Sequence, residues 1–199
     1  MSFQIEYPPG ATPLNLNEMA GLIPTYISTQ GELNAVEQDN ISRGESWAFL
    51  RKRKNVLTEK FLRELHKKMF GLVWKWAGTY RNSNKSIGVE WFQIPAEIHK
   101  LLADVQYWIT HETYPMDEIA ARFHHRLVWI HPFPNGNGRW ARTMADVLLY
   151  SLGHERFSWG AGLKEGTLSE HGEARRRYIR SLGLADARNY DELLAFVRS

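Results

Sequence analysis

Apolar residues recur at helical spacing along most of this chain. From Ser28 onward, Leu33, Val36, Trp47 and Leu50 fall near one stripe, and Asn40-Ile41-Ser42-Arg43-Gly44 predicts a break within it. Thr58 reads as the N-cap of a helix through about Trp74, with Phe61, Leu62, Leu65, Met69 and Phe70 inward. Pro95 suits the first turn of the next helix, which carries Ile98, Leu101, Leu102, Val105, Trp108 and Ile109. Pro115 ends it. A helix from about Met116 to Ile130 follows, with Ile119, Phe123, Leu127 and Ile130 on one face. Another runs from about Gly136 to Leu152, with Trp140, Met144, Leu148 and Leu152 inward. Beyond a polar, Gly-rich loop at 160–166, two more helices fit Ser169 to Leu182 and Asn189 to Val197.

Two stretches lose this period. Pro8, Pro9, Pro13 and Pro24 predict an extended arm over residues 1–27. In TYRNSNKSIGVEWFQI, residues 79–94, turn formers at Asn82, Ser83, Asn84 and Gly88 flank an alternation of Ile87, Val89 and Trp91, which predicts a short β-hairpin. The predicted class is mostly α with one hairpin. No repeat or low-complexity segment divides the chain. We expect one globular domain overall, made of an arm (1–27), a helical region (28–54) and a core with C-terminal helices (55–199).

Composition narrows the chemistry only modestly. The 199 residues are enough to bury a core, and the 43% hydrophobic and 24% charged content is ordinary for a globular chain. With no cysteine, disulfides and thiolate metal sites are excluded. A net charge of +3 and a pI near 9.1 suit an anionic ligand without requiring nucleic acid. The runs Arg51-Lys52-Arg53-Lys54 and Arg175-Arg176-Arg177 read as solvated helix faces before they read as phosphate contacts. MSFQIEYPPG has neither a basic nor an apolar leader region, and no apolar run reaches membrane-spanning length, so the expected location is cytoplasmic, with no membrane partner.

The chemistry concentrates in HPFPNGNGRWAR, residues 131–142. Pro132 and Pro134 end one helix, and Gly136 and Gly138 bare the backbone where the next begins. Exposed N–H groups at a helix start, with the dipole behind them, favour an anion. Arg139 and Arg142 lie one turn apart on the same face, and guanidinium pairs bidentately with phosphate oxygens. Together they predict a polyphosphate cradle.

This stretch resembles the motif of the Fic (filamentation induced by cAMP) family, His-x-Phe-x-(Asp/Glu)-Gly-Asn-Gly-Arg-x-x-Arg. WAGTYRNSNKSIGV is similar to that family's target-docking flap, and RFHHRLVWIHPF to the helix entering its catalytic loop. Residues 25–160 are most similar to the bacterial branch called mobile mystery protein B. The resemblance implies a Fic-fold helical domain with a β-hairpin flap beside the active-site loop, and an adenylyltransferase that moves AMP from ATP to a Ser, Thr or Tyr hydroxyl of a target protein. It makes His131 the general base, an imidazole near its ordinary pKa. Phe133 would hold the loop. Gly136, Asn137 and Gly138 would bind the α- and β-phosphates, with the Asn137 side chain adding its amide. Arg139 would take the β-phosphate region and Arg142 the γ-phosphate. Tyr178 would serve the nucleoside pocket or simply pack.

The flap, Ser86-Ile87-Gly88-Val89, would accept the target as an added strand. Trp91 and Phe92 would clamp that strand or belong to the core. Asn135 stands where the family usually carries an Asp or Glu ligand for Mg²⁺; its uncharged amide would make a weak ligand and a metal-demanding site. Upstream, Ser28-Thr29-Gln30-Gly31-Glu32-Leu33-Asn34 resembles the family's inhibitory (Ser/Thr)-x-x-x-Glu-(Gly/Asn), with Leu33 departing from it. Glu32, with Ser28, would then restrain the enzyme by pairing with Arg142. His124 and His125 diverge by about 100° on a helix, a poor arrangement for shared metal ligation. Two other functions stay open: a Doc-like phosphotransfer or transfer of another nucleotide moiety, and a nonenzymatic nucleotide-binding or toxin–antitoxin-type module with a small regulatory or antitoxin partner.

Overall fold

The computed structural model describes residues 13–162, 168 and 172–199. Among them, helices α1 (Leu16–Met19), α2 (Gln30–Phe49) and α3 (Glu59–Phe70) precede a 3₁₀ turn (Trp91–Gln93), and α4 (Ile94–Thr110), α5 (Met116–Ile130), α6 (Asn137–Leu152), α7 (Glu173–Asp186) and α8 (Asp191–Val197) follow. α5 and α6, joined by residues 131–136, form the centre. α3 and α4 cover one side and α7–α8 the other, and α2 lies on α3 and reaches α6. Phe61, Leu62, Leu65, Met69, Phe123, Leu127, Ile130, Trp140, Met144 and Leu148 are buried together, as the helical stripes predict. Burial of each such side chain contributes about 1.5–3 kcal/mol. Trp140 adds an indole N–H donated to the Leu62 carbonyl at 3.0 Å. Ala120, Ala121, Ala145 and Leu149 form the second face of the α5–α6 pair, against Phe157, Ala185, Leu193 and Val197.

Caps set the starts. Asn15 with Glu18, and Thr29 with Glu32, form capping boxes, and Thr58 accepts from the Phe61 N–H. The arm is not wholly extended. Among its described residues α1 forms, Leu14 and Ile27 are buried, and a single bridge joins Leu22 to Trp74.

The expected break at 40–44 is absent; α2 runs through it. The residues that suggested a turn serve helix packing instead. Asn40 donates to the Lys68 carbonyl at 2.9 Å and accepts from the Leu72 N–H at 2.9 Å, closing the end of α3. Gly44 lets α2 touch α3, since a Cβ there would stand 2.6 Å from Met69 Cγ. α3 itself ends at Phe70 with Gly71 as C-cap. Leu50 and Leu152 are exposed rather than inward. α7 begins at Glu173, and the expected start near Ser169 lies outside the described residues.

The largest departure is the hairpin. Among the described residues, 79–90 form no strand ladder. Instead their backbone bonds to the chain around the end of α5. The Arg81 N–H donates to the Pro132 carbonyl at 2.9 Å, and that of Val89 to the Ile130 carbonyl at 3.4 Å. A segment whose backbone pairs with a helix terminus needs no second strand.

Candidate active site

The loop 131–136 is built from the inside. His131 closes α5 in the left-handed region, φ 54°, and Pro132 after it disfavours a further helical turn. The Asn137 side chain then staples the loop: its Oδ1 accepts from the Phe133 N–H at 2.9 Å and its Nδ2 donates to the Phe133 carbonyl at 2.8 Å. That amide is therefore bonded within the loop. Phe133 is wholly buried, stacked on His66 at 3.7 Å and edge-on to Trp140 at 4.9 Å.

His66 is a residue the sequence reading missed. Its Nδ1 accepts from the Gly78 N–H at 3.0 Å, which leaves Nε2–H to donate to the Asn135 carbonyl at 3.1 Å. Burial pushes its pKa down to about 3, so it is a neutral strut between Gly78, just before the 79–90 segment, and the loop. Gly136, φ 80°, starts α6 against the Phe70 ring; a Cβ there would lie 2.5 Å from Phe70 Cζ.

Beyond the loop comes the first turn of α6, where Gly138 and Arg139 are half-buried. A Cβ on Gly138 would meet only the Tyr178 hydroxyl at 3.8 Å and Arg142 Nη1 at 3.9 Å, so the bare backbone stands beside Arg142. Arg139 Nη1 pairs with Glu37 Oε2 at 2.7 Å, and Glu37 Oε1 accepts from the Trp74 indole at 2.7 Å. Glu37 is 7% exposed. Glu32, by contrast, sits at the exposed start of its own helix. It accepts from the Ser28 N–H at 2.7 Å, the Ser28 hydroxyl at 3.1 Å and the Thr29 N–H at 3.1 Å. Those bonds, the Ser28 backbone first, hold its pKa low. The expected pairing of Glu32 with Arg142 is not made, because the capping box takes the carboxylate. The acid that reaches the motif is Glu37, five residues later on the face that meets α6.

His131 faces residues 79–90. A Cβ on Gly88, φ 97°, would stand 2.7 Å from His131 Cβ. Ser86, Ile87 and Gly88 are exposed, with Val89 half-buried beside them. Arg81 crosses between the two: Nε donates to the His131 carbonyl at 2.7 Å and Nη1 to that of Ser83 at 2.8 Å. Burial first, then the charges of Arg81 and Lys85, lower the His131 pKa to about 4, below the ordinary value the sequence suggested. The imidazole is neutral at pH 7, the state a proton acceptor requires.

Residues 56–149 match the model of the Fic/DOC family. This chain carries a Fic/DOC family domain. It is 26% identical over 200 residues to Protein adenylyltransferase Fic of Nematostella vectensis, with 94% of this chain and 42% of that protein covered. It is 31% identical over 151 residues to the protein of that name from Culex quinquefasciatus, covering 71% of this chain and 30% of the other. The chain thus spans less than half the length of these relatives. BepC of Bartonella tribocorum, a VirB-translocated effector solved with bound AMPPNP, superposes with a TM-score of 0.65 at 15% identity, over 92% of this chain and 97% of that one. The likeness establishes a mostly helical Fic fold.

The rest of the Fic site fills in around this. Asn135 Oδ1 accepts from the Gly136 N–H at 2.5 Å and from Arg139 Nη2 at 3.4 Å. A neutral oxygen already facing two N–H donors fits Mg²⁺ poorly, since that ion takes charged oxygens. Nor does any group of three or more His, Cys, Asp or Glu gather for a metal among the described residues.

Tyr178 is buried, its hydroxyl 3.0 Å from His124 Nε2 and its ring 5.5 Å from the Arg142 guanidinium, so it packs behind Arg142. His125 Nε2 lies 2.9 Å from Asp186 and its Nδ1 3.2 Å from the Tyr190 hydroxyl. Both histidines are thus bonded within the α5–α7–α8 packing. Trp91 and Phe92 are exposed, at 45% and 63%, and are not core. Arg175, read from sequence as part of a solvated run, is half-buried; besides burial, the charges of Arg142 and Arg139 lower its pKa, so it belongs to the same cationic group. Among the described residues no helix is long and apolar enough to cross a membrane.

Proposed function

We propose that this chain transfers AMP from ATP to a hydroxyl of a protein segment laid along residues 86–89. The observation that carries the proposal is the convergence of three things at one helix start: the neutral His131 imidazole, the bare first turn of α6, and Arg139 and Arg142 one turn apart. The names of the relatives, and the AMPPNP in BepC, point the same way. The acceptor oxygen attacks the α-phosphorus, its proton passes to His131, and the Pα–O bond to the β-phosphate breaks, releasing pyrophosphate. The first-turn N–H groups and the arginines hold the charge that builds on the phosphoryl oxygens. Mg²⁺ entering with the nucleotide would neutralise phosphate charge, and of this chain Asn135 would offer it only a neutral oxygen that already accepts two N–H groups.

We further propose that the N-terminal helix restrains this site through Glu37. The carboxylate holds Arg139 away from a β-phosphate and puts negative charge where the nucleotide's must go. Glu37→Gly is expected to raise transfer, with Glu32→Gly leaving the arginine pairing in place. Equal activity of Glu37→Gly and wild type would remove the restraint.

Mass spectrometry of lysate proteins after incubation with labelled ATP tests the transfer itself. An AMP adduct supports it. A phosphate adduct would favour Doc-like phosphotransfer, and no adduct from Glu37→Gly would favour a nonenzymatic nucleotide-binding module.

A further inference from the structure

Arg81 is 3% exposed, and among the described residues every hydrogen bond its guanidinium makes goes to a backbone carbonyl. Nε and Nη1 take His131 and Ser83. Nη2 donates to Val89 and, at 3.5 Å, to Ile130. The main-chain N–H adds Pro132 at 2.9 Å. Two of the side chain's acceptors belong to the docking segment and two to the end of α5, one of them His131's own carbonyl.

We infer that Arg81 is a positioning residue that sets the spacing between the docking segment and His131, and so between a docked hydroxyl and the imidazole that takes its proton. This rests on the transfer reading above. A planar fork of five donors can bridge four carbonyls from two segments; an ammonium with three donors on a flexible stem cannot. A guanidinium stays charged even when burial lowers its pKa, so the clamp holds throughout the working pH range. Gly88 marks how closely the parts are drawn together: a Cβ there would strike His131 Cβ at 2.7 Å and Arg81 Nη2 at 2.8 Å. On the far side Lys85 pairs with Glu18 of α1 and donates to the Pro13 carbonyl at 3.0 Å, so the segment is anchored at its outer edge as well. Arg81 and Lys85 are the cationic groups whose charges act on His131.

The test compares Arg81→Lys and Arg81→Met with wild type in the full chain, on both the wild-type and Glu37→Gly backgrounds. Three readouts are taken: NMR titration of the His131 ring, ATP affinity by calorimetry, and AMP incorporation into lysate proteins from α-labelled ATP. A misplaced acceptor should cut incorporation about a hundredfold in both variants. ATP affinity should be unchanged, because the phosphates are held by α6. The His131 titration should move upward in Arg81→Met and much less in Arg81→Lys, which keeps a charge. Wild-type incorporation by Arg81→Met overturns the inference. So does a joint loss of melting temperature and ATP affinity in both variants, which would make Arg81 merely structural. If wild type and Glu37→Gly transfer nothing while the titration moves as stated, the transfer reading fails and the link from Arg81 to His131 stands. An unmoved titration overturns that link.

Discussion

Residues 131–138 and 82–90 face each other across His131, and their polar groups are used in opposite ways. In the first, the side chains of Asn135 and Asn137 bond back onto the loop's own backbone, and His66 fixes a carbonyl from below. Phe133 is sealed between aromatic rings. In the second, the Arg81 guanidinium, the Val89 N–H and the Lys85 ammonium hold the segment, and Ser86 to Gly88 stay exposed. On the proposed transfer, the difference suits two tasks. Groups that must meet a transition state gain from being fixed before reaction, whereas a surface that receives a varied peptide gains from open backbone.

Removing the base should break the comparison most severely. His131→Ala is expected to lower transfer about 10²–10⁴-fold while ATP affinity persists; comparable turnover in the variant would deny the base its role. Next comes the rigid loop's seal. Phe133→Ala should cost about 3–5 kcal/mol of stability in chemical denaturation, against less than about 0.5 kcal/mol for Ile87→Ser in the open segment. Similar losses for both would erase the contrast.

A pH effect is the next in size. Burial lowers His124 to about 3 and, with Arg81 and Lys85 behind it, His131 to about 4, while the unfolded chain takes these protons near 6.5. Between those values the unfolded state binds more protons, so their contribution is complete above about pH 6.5 and is lost as pH falls. Melting temperature should therefore decline on acidification below pH 6.5, and substituting His124 by a neutral isostere should flatten the decline. The smallest expected effect is at the odd residue of the motif. Asn135→Asp adds a charged oxygen and should lower the Mg²⁺ concentration needed for half-maximal transfer; an unchanged requirement would mean that position 135 does not meet the metal.

The helices of the core were legible because their apolar spacing is local and strong: Phe61 to Phe70, Ile119 to Ile130 and Trp140 to Leu148 all lie where the period put them. The residues proposed to cradle phosphate stand out because they lie within twelve consecutive residues. What escaped was set by tertiary contact. Asn40 and Gly44 look like turn formers until α3 is laid against them. The alternation of Ile87, Val89 and Trp91 looks like a strand until the chain is seen to pair with residues 130–132. Glu32 matches a local spacing, yet its carboxylate caps its own helix, and only the packing of α2 on α6 singles out Glu37. His66 and Arg81 gave no signal, since a buried polar side chain bonded to distant backbone has no pattern in one dimension.

In the proposed transfer, the head of α6 presents a nucleotide's α-phosphate to an acceptor whose proton His131 removes. The most direct test is the adduct formed on lysate proteins by Glu37→Gly, with and without His131→Ala, from ATP labelled at the α-phosphate. The account predicts an AMP adduct that disappears with His131 while calorimetric ATP binding remains. An adduct lacking the α-label, or an AMP adduct that survives His131→Ala, would contradict it.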